Sequence, residues 1–198
     1  MDRTVRRLAA VLAADVVGYS GKIEADESST LAALRDVRAT TIDPLLAENS
    51  GRIVKTMGDG FIAEFGSVVD AVTFAVAMQK SVPERQQGTA SEKRLVYRIG
   101  INLGDVVVEG DDLLGDGVNV AARLEQICKP GGILISGTAY DQLQGKLGLP
   151  LDFTGEQQVK NINRSVLRTG QDGENSSIGR RRVLTPARPS VSFSGPAA

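Results

Sequence analysis

The run Arg52-Ile-Val-Lys-Thr-Met-Gly-Asp-Gly-Phe-Ile-Ala-Glu-Phe65 admits few solutions other than two β-strands joined by a tight turn. Its first half is apolar except for Lys55 and Thr56, and its second half is Phe-Ile-Ala-Glu-Phe. An Asp-Gly pair between two such runs is a strong short-range hairpin signal. The turn is expected to lift Asp59 to an exposed tip, a place for a metal. Upstream, Leu8-Ala-Ala-Val-Leu-Ala-Ala-Asp-Val-Val-Gly-Tyr19 reads as a strand with one acid, Asp15, buried in its middle. An unpaired buried charge costs enough free energy to demand a partner, and a divalent cation is the natural candidate.

Composition narrows the chemistry. At 198 residues, 41% hydrophobic and 24% charged, the chain has material for one well-formed core and a tail. A formal net charge of -1 gives no global basic field, so nucleic acid is not an expected partner. With 0 histidines, His-based acid-base catalysis, Ser-His-Asp triads and most zinc sites are excluded. Carboxylates and cations are what remain. Cys128 is the single cysteine, placed at a helix end as a small core residue, and a cytoplasmic setting fits. The basic start, Arg3, Arg6 and Arg7, precedes an apolar run that is short and interrupted by Asp15; we read a first strand there, with no membrane span.

Periodicity predicts the remaining elements. Asp26 to Asn49 carries helical spacing, with Asp26 or Ser28 as N-cap, and Pro44 should kink it or start a separate last turn. Ser67 opens a second helix that Pro83 should close. Leu95 to Ile101 and Val106 to Glu109 read as strands around Asn102-Leu-Gly-Asp105, followed by a loop at Gly110 to Gly117. The next helix, Val118 to Cys128, places Asn119 and Arg123 on one face at i and i+4. Gly131 to Ser136 is another strand, Thr138 caps a short helix to about Leu147, and short strand-like pieces follow near Phe153 and Val166. This order suggests an α+β fold on a ferredoxin-like βαββαβ core, with helices on one side of a mainly antiparallel sheet. The domain is expected to span residues 1–169. Residues 170–198, rich in Gly, Ser, Pro and Arg, are expected to be a disordered tail in which Arg180 to Arg182 are solvated.

Taken singly, Asp59 is a turn former and Asp15 a hydrogen-bonded carboxylate. Taken together, they resemble a two-metal site in which oxygen ligands hold Mg²⁺ or Mn²⁺ and substrate phosphates complete the shell. Four fragments extend this likeness: Asp15-Val-Val-Gly-Tyr-Ser20, Lys55-Thr-Met-Gly-Asp-Gly60, Arg98-Ile-Gly-Ile-Asn102 and Asp112-Leu-Leu-Gly-Asp-Gly-Val-Asn-Val-Ala-Ala-Arg123. In this order and spacing the chain resembles the class III nucleotidyl cyclase catalytic domain over roughly residues 7–168, most like the bacterial adenylate cyclases.

The resemblance implies roles. Asp15 and Asp59, assisted by the backbone carbonyl of Val16, would hold two ions. Asn119 would orient the ribose, and Arg123 would stabilise charge growing on the α-phosphate. Lys55 and Asp112 would read the base, with Asp111 adjacent to Asp112. Lys160 would reach the terminal phosphates. Adenine offers an acceptor at N1 and a donor at its 6-amino group, which a lysine and an aspartate match, so ATP is the implied substrate. The implied assembly is a head-to-tail homodimer with sites shared across the interface. The implied reaction converts ATP to 3′,5′-cyclic AMP and pyrophosphate. A guanylate cyclase and a noncatalytic nucleotide-binding or dimerisation module of the same fold are the rivals. The absence of a Gly-x-x-x-x-Gly-Lys-Ser/Thr loop disfavours a P-loop NTPase.

Overall fold

The computed structural model describes residues 5–110, 112–143, 146, 152–153 and 167–168. The expected tail and Lys160 lie outside them. The sheet is organised around β1 (Val5–Val16), whose alternating residues serve two separate cores. Ala10, Leu12, Ala14 and Val16 pack on one side, and Ala9, Val11 and Ala13 on the other. A strand so apolar on both faces can sit only in the middle of a sheet covered on both sides.

Its neighbours are β2 (Gly51–Met57), β3 (Gly60–Phe65) and β4 (Tyr97–Glu109). With β5 (Asp112–Leu114), β6 (Ile133–Ile135), β7 (Asp152–Phe153) and β8 (Leu167–Arg168), the strand order is β2-β3-β1-β4-β6-β8-β7, and β5 pairs with β4. The first four strands, in the order β2-β3-β1-β4, form the expected βαββαβ core. Only β4 and β6 run parallel among the described pairs.

Three local expectations are corrected. The predicted break at Asn102 to Asp105 does not occur, because β4 stays paired with β1 from Val16↔Tyr97 to Val5↔Val108. Asn102 is tolerated inside it because its Nδ2 donates to the Gly117 carbonyl at 3.0 Å, a bond invisible from local sequence. The loop at Gly110 to Gly117 contains β5, held by pairing of Leu113, which is buried, with Val108. Finally, the short helix α5 (Gly137–Leu143) is capped by Ser136, whose Oγ accepts from the Ala139 amide at 3.2 Å. Thr138 instead donates to the Leu103 carbonyl at 3.0 Å.

Several helical segments precede it. The first, α1 (Tyr19–Val37), starts earlier than the apolar spacing implied and kinks at Asp26, whose φ of -164° and ψ of 87° are extended. Asp26 caps the part after the kink, accepting from the Ser29 amide at 3.1 Å. A π-helical turn, Arg38–Ile42, leads into α2 (Asp43–Glu48), where Pro44 occupies the first turn and its missing N–H breaks no bond. Ser67 caps α3 (Val68–Arg85) through the Asp70 amide. Pro83 lies in the last turn of α3 and does not end it, because Gln86 clamps the helix end to the Val82 and Leu95 carbonyls. No helix among the described residues is long and apolar enough to cross a membrane.

The helices are not all on one side. Those of the βαββαβ core, α1 to α3, contribute to the cluster containing Leu12, together with α5. The remaining helix, α4 (Asp116–Ile127), covers the opposite face through Val118 and Ala121. Its approach depends on Gly100 of β4. A Cβ there would collide with the Ala121 carbonyl and the Glu125 amide, and would stand 2.9 Å from Leu124 Cβ. Contact this close is with helix backbone, which cannot step aside as a flexible side chain can. We therefore expect Gly100→Ala to destabilise the fold by about 1–3 kcal/mol through overpacking. Chemical denaturation measures this; a loss under about 0.5 kcal/mol would show that α4 is not seated as described.

Candidate active site

The β2–β3 hairpin is tighter than expected. Met57 pairs with Gly60, so the two turn residues are Gly58 and Asp59, one position earlier than the Asp-Gly dipeptide suggests. Gly58 has φ of 61° and Asp59 does not have a positive φ, the signature of a type II′ turn with glycine first. Nor does Asp59 itself stand fully exposed, although Gly58 beside it does. Asp59 is half-buried because the turn folds against the end of β1, and its Oδ2 accepts from the Val16 amide at 3.3 Å. Gly60 permits the approach: a Cβ there would stand 2.8 Å from the Ala14 carbonyl and 3.0 Å from Asp15 Oδ1.

Two carboxylates thus converge. Burial raises the Asp59 pKa to about 6, and the neighbouring Asp15 charge adds to the rise. Asp15 is at the C-terminal end of β1 rather than mid-strand, and its side chain is one-third exposed. It has a protein partner: Arg98 Nη2 donates to Asp15 Oδ2 at 3.0 Å. The same nitrogen is 3.1 Å from Glu125 Oε1 of α4. Glu125 is buried, and desolvation pushes its carboxyl up to about 7 against the lowering effect of Arg98.

Sequence reasoning gave no role to Arg98 or Glu125, yet both left a signal. Arg98 interrupts an apolar strand just as Asp15 does, and Glu125 falls among Ala121, Leu124 and Cys128 on the buried side of its helix. What joins them is the register Asp15↔Arg98, which only the sheet supplies. Beside Asp59 a cavity of about 180 Å³ opens, bordered by Arg38, Thr56, Gly60 and Tyr97.

The donor chemistry suits a hard divalent cation, because convergent carboxylates supply oxygen only and repel one another without a counter-charge. Among the described residues no group of three or more His, Cys, Asp or Glu side chains converges in a way that could hold a metal. A cation here would therefore take further oxygens from backbone, water or a ligand. Val16 is adjacent to Asp15 and touches Asp59 through its amide.

A second pair forms elsewhere on the sheet. Lys55 Nζ donates to Asp112 Oδ2 at 2.9 Å, which lowers the Asp112 pKa. In strand order β2 is separated from β5 by β3, β1 and β4, but the sheet curls until the two strands touch. A β-bulge between Ile53 and Lys55 shifts the register just before the lysine, the kind of irregularity that re-aims a side chain. Asn119 is exposed and Arg123 half-buried on α4, whose Val118, Ala121 and Leu124 face inward. The residues singled out from the sequence therefore fall into a carboxylate group, a Lys55–Asp112 pair and a helix face.

Known proteins share this arrangement of chain. A model of the adenylate and guanylate cyclase catalytic domain matches residues 5–173. A Rhizobium meliloti protein named "Putative adenylate cyclase 3" is 44% identical over 161 residues, covering 81% of this chain and 27% of that protein. The human guanylate cyclase soluble subunit beta-2 is 28% identical, covering 78% of this chain and 27% of that subunit. The chain thus spans about a quarter of the length of these two relatives. Among solved structures, an adenylate/guanylate cyclase/hydrolase from Silicibacter pomeroyi superposes with a TM-score of 0.78 at 42% identity, covering 86% of this chain and 100% of that one. On this evidence the chain belongs to the class III family of adenylate and guanylate cyclase catalytic domains.

Proposed function

We propose that this domain is an adenylate cyclase that converts ATP to 3′,5′-cyclic AMP and pyrophosphate. The observation that carries the reading is the convergence of Asp15 and Asp59 at one end of the sheet, with like charge concentrated where a triphosphate would need cations. Divalent ions, Mg²⁺ or Mn²⁺, held by these carboxylates would supply Lewis-acid activation of the ribose 3′-hydroxyl and neutralisation of the leaving pyrophosphate. The chain's own part is positional and electrostatic. Asp15, Asp59 and the Val16 carbonyl hold the cations, Asn119 orients the ribose, and Arg123 stabilises charge on the α-phosphate. Lys160 contacts the terminal phosphates. No histidine is needed, in keeping with a chain that has 0 of them.

Base choice rests on Lys55 and Asp112. Their 2.9 Å contact supports a paired donor and acceptor acting on one base edge. Adenine accepts at N1 and donates at its 6-amino group, and guanine inverts both, so ATP is selected when Lys55 faces N1 and Asp112 faces the amine. Relatives named for either nucleotide make this an experimental matter. The Lys55→Glu, Asp112→Cys double variant should lose its preference for ATP. Parallel turnover assays with ATP and GTP measure it; an unchanged ratio would remove these residues from base reading.

The site is shared across a head-to-tail homodimer in this reading, with Asp15 and Asp59 from one protomer facing Asn119 and Arg123 of the other. Asp15→Ala and Asp59→Ala should each abolish Mn²⁺-supported formation of cyclic AMP, and Arg123→Ala should lower kcat by on the order of 10³-fold. Mixing the inactive Asp59→Ala and Arg123→Ala proteins should restore about a quarter of wild-type activity, since half the random dimers have one intact site. Full activity in either aspartate variant would reject the cation assignment, and failure of the mixture would reject the shared site.

Protonation sets a pH limit. A carboxyl raised to about 6 stabilises the metal-free fold in its neutral form, so this contribution is present below pH about 4 and is lost as pH rises through 6. Cation binding requires the ionised form. Mn²⁺ affinity should consequently fall about tenfold per pH unit below 6 as one proton competes. In the metal-free protein at pH 8, Asp59→Asn should raise Tm by about 2–4 °C, with no gain at pH 4. Isothermal titration and thermal unfolding across pH check both; a pH-independent Mn²⁺ affinity would contradict the assignment.

A further inference from the structure

Among the described residues, three buried side-chain polar atoms make no hydrogen bond: Thr41 Oγ1, Arg98 Nε and Glu125 Oε1. Two of the three belong to one ion pair. Arg98 Nη2 is 3.1 Å from Glu125 Oε1 but misaligned for a hydrogen bond, while it donates well to Asp15 Oδ2 at 3.0 Å. The remaining guanidinium contact is weak, Nη1 to the Gln126 carbonyl at 3.4 Å. A single NH₂ group therefore serves two carboxylates, and the Nε/Nη2 fork that normally grips a carboxylate bidentately is unused.

The alternative arrangement is close at hand. Turning the guanidinium so that Nε and Nη2 both donate to Glu125 would satisfy both orphan atoms and withdraw Nη2 from Asp15. The Glu125 backbone is fixed in place by the close packing of α4 on Gly100, so its carboxylate stays within reach of Arg98. Arg98 thus has two partners and two states. A divalent cation at Asp15 and Asp59 interacts differently with the two: it competes for the Asp15 oxygens and repels the guanidinium, and so favours the Glu125-bound state.

We propose that Glu125 is a positioning residue for the cation site, receiving Arg98 when a divalent cation displaces it from Asp15. This rests on the reading of Asp15 and Asp59 as cation ligands. Without Glu125, Arg98 belongs wholly to Asp15 and is a stronger competitor. A lysine at position 98 could not act in this way, since one ammonium cannot form the fork.

The test is a double-mutant cycle read by Mn²⁺ affinity of the full chain without nucleotide. Glu125→Gln should weaken Mn²⁺ binding about tenfold when Arg98 is present. In the Arg98→Met background the same change should alter affinity by no more than about twofold. Equal weakening in both backgrounds would mean that Glu125 acts only through its own charge, and no weakening in either would mean a purely structural role; each overturns the proposal. Should Arg98→Met not fold, the wild type decides by NMR. On Mg²⁺ addition the Arg98 Nε–H resonance, identified by its change in Glu125→Gln, should move downfield and exchange more slowly with water. A resonance unmoved by saturating Mg²⁺ overturns the proposal. Wild-type protein that binds no Mn²⁺ would defeat the underlying cation reading as well, whereas Mn²⁺ binding abolished by Asp59→Asn together with a flat cycle would defeat this inference alone.

Discussion

Two acidic side chains brought together at the end of a buried strand dictate most of the local design. Burial of Asp59 makes its ionisation costly, and the charge of Asp15 beside it adds to that cost, so its pKa is raised. Arg98 offsets the Asp15 charge in part, at the price of facing Glu125 as well. The turn at Gly58, the bare Gly60 and the Val16 amide all serve to bring the second carboxylate to the first. Such an arrangement weakens the metal-free fold while favouring ligands of high positive charge, a trade often made at catalytic sites.

The opposite face of the sheet matters equally. Helix α4 carries Asn119 and Arg123, and its position is set by the missing side chain of Gly100 and by the Asn102 bond to Gly117. Both anchors lie on β4, the strand that also carries Arg98. One strand therefore indexes the carboxylate group on its β1 side and the helix above it. If α4 serves a site shared with a second copy, the chain Asp15, Arg98, Glu125 links, within one protomer, the cation half of one site to the helix serving the other.

Much of this was legible from residue order. The apolar runs of β1 and β3, the serine cap of α3, the proline at the start of α2 and the i, i+4 placement of Asn119 and Arg123 follow from local sequence pattern and backbone chemistry. The four motif fragments identify the family from residue order alone. Errors arose where a distant partner overrode a local signal. Asn102 looked like a strand breaker because its acceptor is on α4, and Asp59 looked exposed because the strand end that covers it lies far upstream in the chain. The placement of α4 on the far face was missed for the same reason, since apolarity on both sides of β1 says that a second layer exists without saying which helix forms it.

Sequence alone determined most of the elements, the Ser67 cap of α3, the family and the residue types available for chemistry, because these depend on contacts within a few positions or on motifs that persist as written. Tertiary structure alone decided which charges meet. The register Asp15↔Arg98, the curl that brings Lys55 to Asp112, and the closeness of Glu125 to both arise from strand pairing and sheet twist. Those are global properties: a one-residue slip in register would leave every local pattern intact and separate every one of these pairs.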